Sequence, residues 1–422
     1  QNNGHLNVTD ARYLTAIKLF LQSISPGEYA SHRGFARVGR EFAGVGPQVA
    51  CQMQSIDEIR HAQTQVHAMS NYNKFYNGFK DFANQRDRIW YTSVARSFFD
   101  DAMSAGPFEF LIAIGFSFEY VLTNLLFVPF MSGAAYNGDM ATCTFGFSAQ
   151  SDEARHMTLG LECIKFMLEQ DPDNIPIVQK WIDKWFWRGC RLLTLVAAMM
   201  DYMLPKRVMS WREAWNIYGV ENGNALFRDL ARYGIKPPMH WDDVEKSIDH
   251  TSHQIMLGLY QWKFGTAFHS WTPTASDIEW LKEKYPTTFE KYYLPRWEYA
   301  IAQKENGGEY NNFGLPKLCQ TCQLPCLFTE PDDPTQLAHR ETEYEGEKYH
   351  FCSDGCQHVF EQEPEKYVQA WLPMPSMMQE PLKGDLAAWM EWASLEPTAS
   401  GEYANSEDKA NFEKWRKQVS TD

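Results

Sequence analysis

Two pentads, Asp57-Glu58-Ile59-Arg60-His61 and Asp152-Glu153-Ala154-Arg155-His156, repeat one pattern inside long helical segments. Positions i and i+3 of an α-helix share a face, so Glu58 with His61, and Glu153 with His156, each present a carboxylate and an imidazole to one side. A single Glu-x-x-His reads most simply as a solvent-facing polar pair. Two copies with the same flanking Asp and Arg read as the two halves of a dinuclear metal site. Such a site in a helical bundle needs a further Glu from each of two other helices. Glu28 and Glu119 stand 30 and 34 residues before Glu58 and Glu153, one helix length and a turn upstream. Glu119 lies in the apolar run from Phe108 to Met131, where an unpaired buried carboxylate would be costly. Four carboxylates and two imidazoles favour iron over the soft-ligand metals.

Asp57 and Asp152 point off their own ligand faces. Each is expected to accept the outer ring N–H of the histidine of the other pentad and so fix its tautomer, with Arg60 and Arg155 balancing the acids. The alternative for these four is ordinary surface charge.

Outward from the pentads the chain reads as a succession of long helices to about Tyr299. A first helix follows Asp10 with a kink expected at Pro26-Gly27, and others span 46–73, 88–104, 107–131, 137–169 and 177–203. The fold class is therefore mainly α, a large helical bundle. The chain has 422 residues, 44% apolar and 15% aromatic, too apolar for a disordered protein. A net charge of −15 argues against general binding to nucleic acid or anionic lipid. Glu109, Glu119 and Asn124 argue against reading 108–131 as a membrane span.

Five of the nine cysteines crowd between Cys319 and Cys356, which reads as a reducing compartment, the cytoplasm, and one metal site. Cys319 and Cys322, with Cys352 and Cys356, make two close pairs about thirty residues apart, suited to a tetrahedral structural zinc. Cys326, His350 or His358 could replace one of the four. A polar Gly-rich turn at Glu305-Asn306-Gly307-Gly308 marks a boundary. Three units are expected: a diiron domain over 1–305, a zinc domain over 316–371 and a peripheral tail over 372–422. The interval from Glu330 to Lys366 holds 11 acidic and 3 basic residues, so bracing or protein contact suits it better than nucleic acid.

With these residues in place, the chain resembles the hydroxylase large (α) subunit of the bacterial multicomponent monooxygenases, which include phenol hydroxylases, toluene monooxygenases and soluble methane monooxygenase. The resemblance rests on Ser25-Pro26-Gly27-Glu28-Tyr29, the first pentad, Phe118-Glu119-Tyr120 with Thr123-Asn124, and Gln150-Ser151 before the second pentad. Tyr349-His350-Phe351-Cys352-Ser353, with Phe360, Pro364 and Tyr367, resembles the YHS domain and points toward the phenol hydroxylase group. Only 27 residues precede Glu28, so a family N-terminal segment is expected to be absent.

The resemblance implies a ferritin-like bundle with Glu28, Glu58, His61, Glu119, Glu153 and His156 as ligands of two irons. It implies Thr123 as an active-site residue, although spacing alone allows a threonine bonded back to its own helix. Asn124 and Gln150 match a pore, and Ile24, Phe98, Phe118 and Phe127 an apolar substrate pocket; unaided, the four apolar residues read as plain core. The implied activity is hydroxylation of phenol to catechol with molecular oxygen. A toluene or alkene monooxygenase and a ferritin-like iron-binding protein are the alternatives. No flavin or NAD fingerprint stands in the chain, so NADH is expected to act through a separate flavin and iron–sulfur reductase. The further partners implied are β and γ subunits and a regulatory protein.

Overall fold

The structure is a computed structural model. It describes residues 11–76, 79, 90–203, 209–261, 275–295, 298, 302 and 318–372, with a few positions between 383 and 417. The expected turn at 305–308, the start of the cysteine unit at 316 and most of the tail lie outside the described residues.

Four long helices frame the centre: α1 (Ala11–Glu41), α2 (Val45–Tyr72), and, after α3 (Trp90–Ser104) and α4 (Pro107–Leu111), α5 (Glu119–Tyr136) and α6 (Met140–Gln170). α1 packs along α2, α5 along α6, and α2 against α6, so the two helical hairpins close into one bundle. Helical structure continues through Pro26, where the sequence suggested a kink. The hydroxyls of Ser23 and Ser25 donate to the carbonyls of Leu19 and Leu21, each at 2.7 Å, on the turns that lead into the proline. Gly27 is required by packing: a Cβ there would lie 2.3 Å from the Phe99 ring on α3.

The apolar run expected as one helix over 107–131 is helical but not uniform. Between α4 and α5 the residues Ile112–Phe118 form a π-helix. Its wider turn brings the backbone against α6, where a Cβ on Gly160 would meet the Gly115 carbonyl at 2.3 Å. A π segment inside an α-helix shifts the faces that follow it, and here it sits immediately before Glu119.

α7 (Asn174–Met203) is the central post, buried on every side from residue 184 to 201. Such a helix belongs to the core. Two of its buried charges are paired: Lys184 Nζ donates to Glu109 at 3.0 Å, and Arg188 Nε to Asp101 at 3.1 Å. Beyond it come α8 (Trp211–Ala214), a π-helical turn at Trp215–Glu221, α9 (Asn222–Ala231), α10 (Trp241–Gln261), α11 (Ala275–Lys284) and a second short π turn at Phe289–Tyr293.

The cysteine segment carries a hairpin, β1 (Arg340–Tyr344) and β2 (Glu347–Phe351), antiparallel with Arg340 opposite Phe351 and Glu341 opposite His350. Two short helices follow, α12 (Asp354–Gln362) and α13 (Pro364–Tyr367). This segment docks on α3 and α7. Tyr367 donates to Asp101 at 2.6 Å, Lys184 donates to Glu363 at 2.5 Å, and Trp187 Nε1 donates to Cys356 Sγ at 3.3 Å. Its apolar residues join the same core as the helices. Among the described residues no single helix is long and apolar enough to cross a membrane; one bent pair, Pro107–Phe118 with Leu122–Tyr136, passes by composition, and its residues are largely buried within the protein.

Candidate metal centre

Each helix of the bundle brings one part of the constellation to the middle: Glu28 from α1, Glu58 and His61 from α2, Glu119 from α5, Glu153 and His156 from α6. Glu58 stands between the two halves. Ligand atoms of Glu28, Glu58 and His61 lie within 4.8 Å of one another, and so do those of Glu58, Glu119 and His156. Glu153 adjoins the second group, its Oε2 3.4 Å from His156 Nδ1. The His61 Nδ1 atom is 3.8 Å from Glu28 and 3.9 Å from Glu58; His156 Nδ1 is 3.5 Å from Glu58 and 3.7 Å from Glu119.

The outer ring nitrogens are held by the crossed aspartates. His61 Nε2 lies 2.9 Å from Asp152 Oδ2, and His156 Nε2 lies 3.4 Å from Asp57 Oδ2. Arg155 Nη2 donates to Asp57 at 2.8 Å and to Asp152 at 2.6 Å, while Arg60 Nη2 pairs with Asp152 and its Nη1 reaches Ser148 at 2.9 Å.

The inner nitrogens are different. Nδ1 of His61, Nδ1 of His156 and Oε2 of Glu153 are buried with no hydrogen-bond partner. Each such group costs roughly 1–3 kcal/mol when left unmade. Three of them converging among four carboxylates fit a cation, which would supply what no protein group supplies. The carboxylates also resist joint ionisation. Burial, then the charges of Glu119, Glu28 and Glu153, holds Glu58 well above the ordinary carboxylate range. Burial, with the neighbouring Glu153, pushes Glu119 up to about 8, and burial, with Glu28 and Asp57, pushes Glu153 to about 8.

The geometry is that of a dinuclear carboxylate site, and comparison with known proteins agrees. Residues 1–171 match the model of the methane/phenol/alkene hydroxylase family, and residues 328–371 match that of the YHS domain. Over 384 residues the chain is 62% identical to the oxygenase component of phenol 2-monooxygenase from Pseudomonas sp. (strain CF600), covering 91% of this chain and 74% of that protein. The chain belongs to the methane/phenol/alkene hydroxylase family. It is also similar to a solved structure of xenon-pressurized phenol hydroxylase from Pseudomonas sp. OX1, with a TM-score of 0.81 and 59% identity over 98% of this chain and 85% of that one. A more distant relative is the α subunit of the oxygenase component of an alkene monooxygenase system from Xanthobacter autotrophicus (strain ATCC BAA-1158 / Py2), 31% identical over 74% of this chain and 63% of that subunit.

In this hydroxylase a cavity of about 30 Å³ lies against the carboxylates. Ile24, Phe118, Thr123 and Phe127 are on its wall with Glu28, Glu58, Glu119 and Glu153. Phe98 is set back from it, its ring meeting those of Phe99, Phe118 and Trp185. The Thr123 hydroxyl is buried and donates to the Phe118 carbonyl at 3.3 Å, five residues back across the end of the π segment. Asn124 and Gln150 meet each other at 3.4 Å, both half-buried.

The sequence reading passed over Gln54 and Gln65. Gln54 Nε2 donates to both oxygens of Glu119 at 3.1 and 2.9 Å; Gln65 Nε2 donates to Glu28 at 2.9 Å while its Oε1 accepts from Ser25. Both were open to discovery: Gln54 stands four residues before Glu58 and Gln65 four after His61, on the face that the pentad itself defines. Phe20, Phe99, Ile114 and Leu126 also wall the cavity, and apolar residues carry no comparable signal.

The four cysteines Cys319, Cys322, Cys352 and Cys356 come together, all buried, with ligand atoms within 4.8 Å of one another. The Sγ atoms of Cys322 and Cys352, and of Cys352 and Cys356, are 3.6 Å apart. Four sulfurs at about 2.3 Å from a tetrahedral zinc stand about 3.8 Å from one another, so the cluster has the right size. Burial opposes ionisation of Cys319, but thiol donation from Cys322, Cys352 and Cys356 outweighs it and holds this thiol well below the usual range. Cys326, His350 and His358 fall outside this group of four.

Proposed function

We propose that this chain is the catalytic diiron subunit of a multicomponent aromatic monooxygenase that converts phenol to catechol. Glu28, Glu58, His61, Glu119, Glu153 and His156 hold two irons, and Cys319, Cys322, Cys352 and Cys356 hold one structural zinc. The observation that carries this reading is the pair of inward imidazole nitrogens, each without a hydrogen-bond partner and each facing carboxylates beside an apolar cavity. The phenol assignment is supported by the 62% identity to an enzyme named for that substrate.

When bound, the iron pair supplies reductive activation of molecular oxygen. The chain's own residues set the conditions. Asp152 and Asp57 fix the imidazole tautomers so that each Nδ1 lone pair points inward. Gln54 holds the Glu119 carboxylate by both oxygens, and Gln65 holds Glu28. Ile24, Phe118 and Phe127 exclude water from the cavity and offer apolar contact to an aromatic ring. Thr123 places on the cavity wall a hydroxyl that can give or take a proton without being a ligand.

Electrons from NADH enter through a separate flavin and iron–sulfur reductase, and β and γ subunits with a regulatory protein complete a cytoplasmic complex. The division into units at 1–305, 316–371 and 372–422 stands as part of the same proposal. The decisive experiment supplies phenol, NADH and purified partner proteins under labelled oxygen. Catechol carrying one atom from molecular oxygen supports the reading, and catechol labelled only from water, or turnover by the chain alone with NADH, overturns it. Iron content separates it from an iron store: about two irons per chain are expected, absent in Glu119→Ala.

A further inference from the structure

On the hairpin of the cysteine segment a second group of metal-competent side chains stands apart from the four cysteines: His339, Glu341 and His350. Backbone register places them. Glu341 lies directly opposite His350 in the β1–β2 ladder. His339, the residue just before β1, comes to the same side, its ring 5.2 Å from that of His350.

Nε2 of His339 is 3.1 Å from Nδ1 of His350, and Oε1 of Glu341 is 3.1 Å from that same nitrogen and 4.0 Å from His339 Nε2. The other oxygen of Glu341 is occupied by Lys348 at 2.8 Å, which fixes the carboxylate with Oε1 turned to the imidazoles. Two imidazole nitrogens bound to one zinc at 2.0–2.1 Å stand about 3–3.4 Å apart, so the observed spacing needs almost no adjustment. The side chains keep 30%, 40% and 17% exposure for His339, Glu341 and His350, so an ion can enter from solvent and waters can fill its remaining positions.

We propose that His339, Glu341 and His350 form a second, solvent-accessible site for a divalent transition metal, zinc or copper, distinct from the four-cysteine cluster and the dinuclear centre. Two imidazoles and one carboxylate select borderline divalent ions over magnesium or calcium. With three protein ligands and an open side, the site exchanges its ion more readily than four buried thiolates do. An ion there joins the residue before β1 to the end of β2, two residues before Cys352, and so staples the hairpin that delivers that cysteine.

The test starts from the full chain loaded with its iron and its thiolate-bound zinc, to which Zn²⁺ is added in equilibrium dialysis with metal analysis. One extra zinc per chain is expected, lost in His339→Ala and weakened at least tenfold in Glu341→Gln, with the original metals retained in both. Zinc should raise the Tm of the wild-type chain and leave that of His339→Ala unmoved. Cu²⁺ in place of added zinc should give an electron paramagnetic resonance signal split by two imidazole nitrogens. No extra zinc in the wild type, or the same extra zinc and the same two-nitrogen signal in His339→Ala, would overturn the proposal.

Discussion

Oδ2 of Asp152 lies 2.9 Å from Nε2 of His61, a residue of the other pentad on a different helix. The relation is reciprocal, since Asp57 faces His156 at 3.4 Å. Each repeat therefore completes its neighbour's imidazole rather than its own. The Arg155 guanidinium bonds to both aspartates and ties the two halves together.

From this crossing follows the effect of Asp152→Asn. The amide keeps the shape but removes the charge that orients His61 and draws Arg60 and Arg155 inward. Metal affinity should fall about 10–100-fold, as for other outer partners of ligating histidines. Iron retained against a competing chelator measures it, and unchanged retention would refute the role given to Asp152.

The metal-free chain should lose stability as pH rises. Glu58, Glu119 and Glu153 all have folded-state pKa values above their ordinary carboxylate values, the last two at about 8. A carboxyl raised on folding favours the native state fully below its unfolded pKa, and that contribution is lost as pH climbs through the folded pKa. The Tm of the metal-free chain should therefore decline from about pH 5 to about pH 8. Loading the metals, which requires deprotonated ligands, should remove the decline and release protons. A metal-free Tm that is flat or rises across that window would contradict the clustering of protonated carboxyls.

These helices were legible because periodicity and paired chemistry coincide in them: the pentads mark a helix face, and Glu119 marks itself by standing in an apolar run. The π-helix at Ile112–Phe118 was not legible. Nothing in Ile-Ala-Ile-Gly-Phe-Ser-Phe distinguishes it from an α-helical stretch, and the close approach of Gly115 to Gly160 on α6 that goes with it is a tertiary contact. Phe98, assigned to the pocket by the resemblance and not by spacing, packs against Phe99 and Phe118, which line the cavity where it does not.

The cysteine segment should be coupled in stability to the helices. Tyr367 donates to the buried Asp101, and Trp187 on α7 donates to Cys356. On the proposed assignment, Cys352→Ser should release the zinc and lower the Tm of the whole chain, leaving iron bound in the folded fraction because none of the six proposed iron ligands belongs to this segment. Tyr367→Phe keeps all four thiols, so zinc should remain while stability falls by about 1.5–3 kcal/mol for the lost bond to a charged acceptor. Zinc loss without any change in the unfolding of the helices would contradict the shared core.

Thr123 carries the last prediction. Its hydroxyl reaches back five residues to the Phe118 carbonyl at 3.3 Å, a long bond for a hydroxyl donor, at the point where the π turn gives way to α5. An ordinary α-helical threonine bonds back three or four residues. The wider turn leaves this one only weakly held, on a wall shared with Glu28, Glu58, Glu119 and Glu153. The hydroxyl can therefore turn into the cavity at small cost and move a proton there. Thr123→Ser keeps that capacity. Thr123→Val keeps the shape, and since Thr123 is no ligand, iron content should equal that of the parent chain. In the reconstituted system with phenol, Thr123→Val should release more hydrogen peroxide per NADH consumed and yield less catechol, while Thr123→Ser should stay near the parent ratio. Equal coupling in Thr123→Val, with iron intact, would reduce Thr123 to a packing residue.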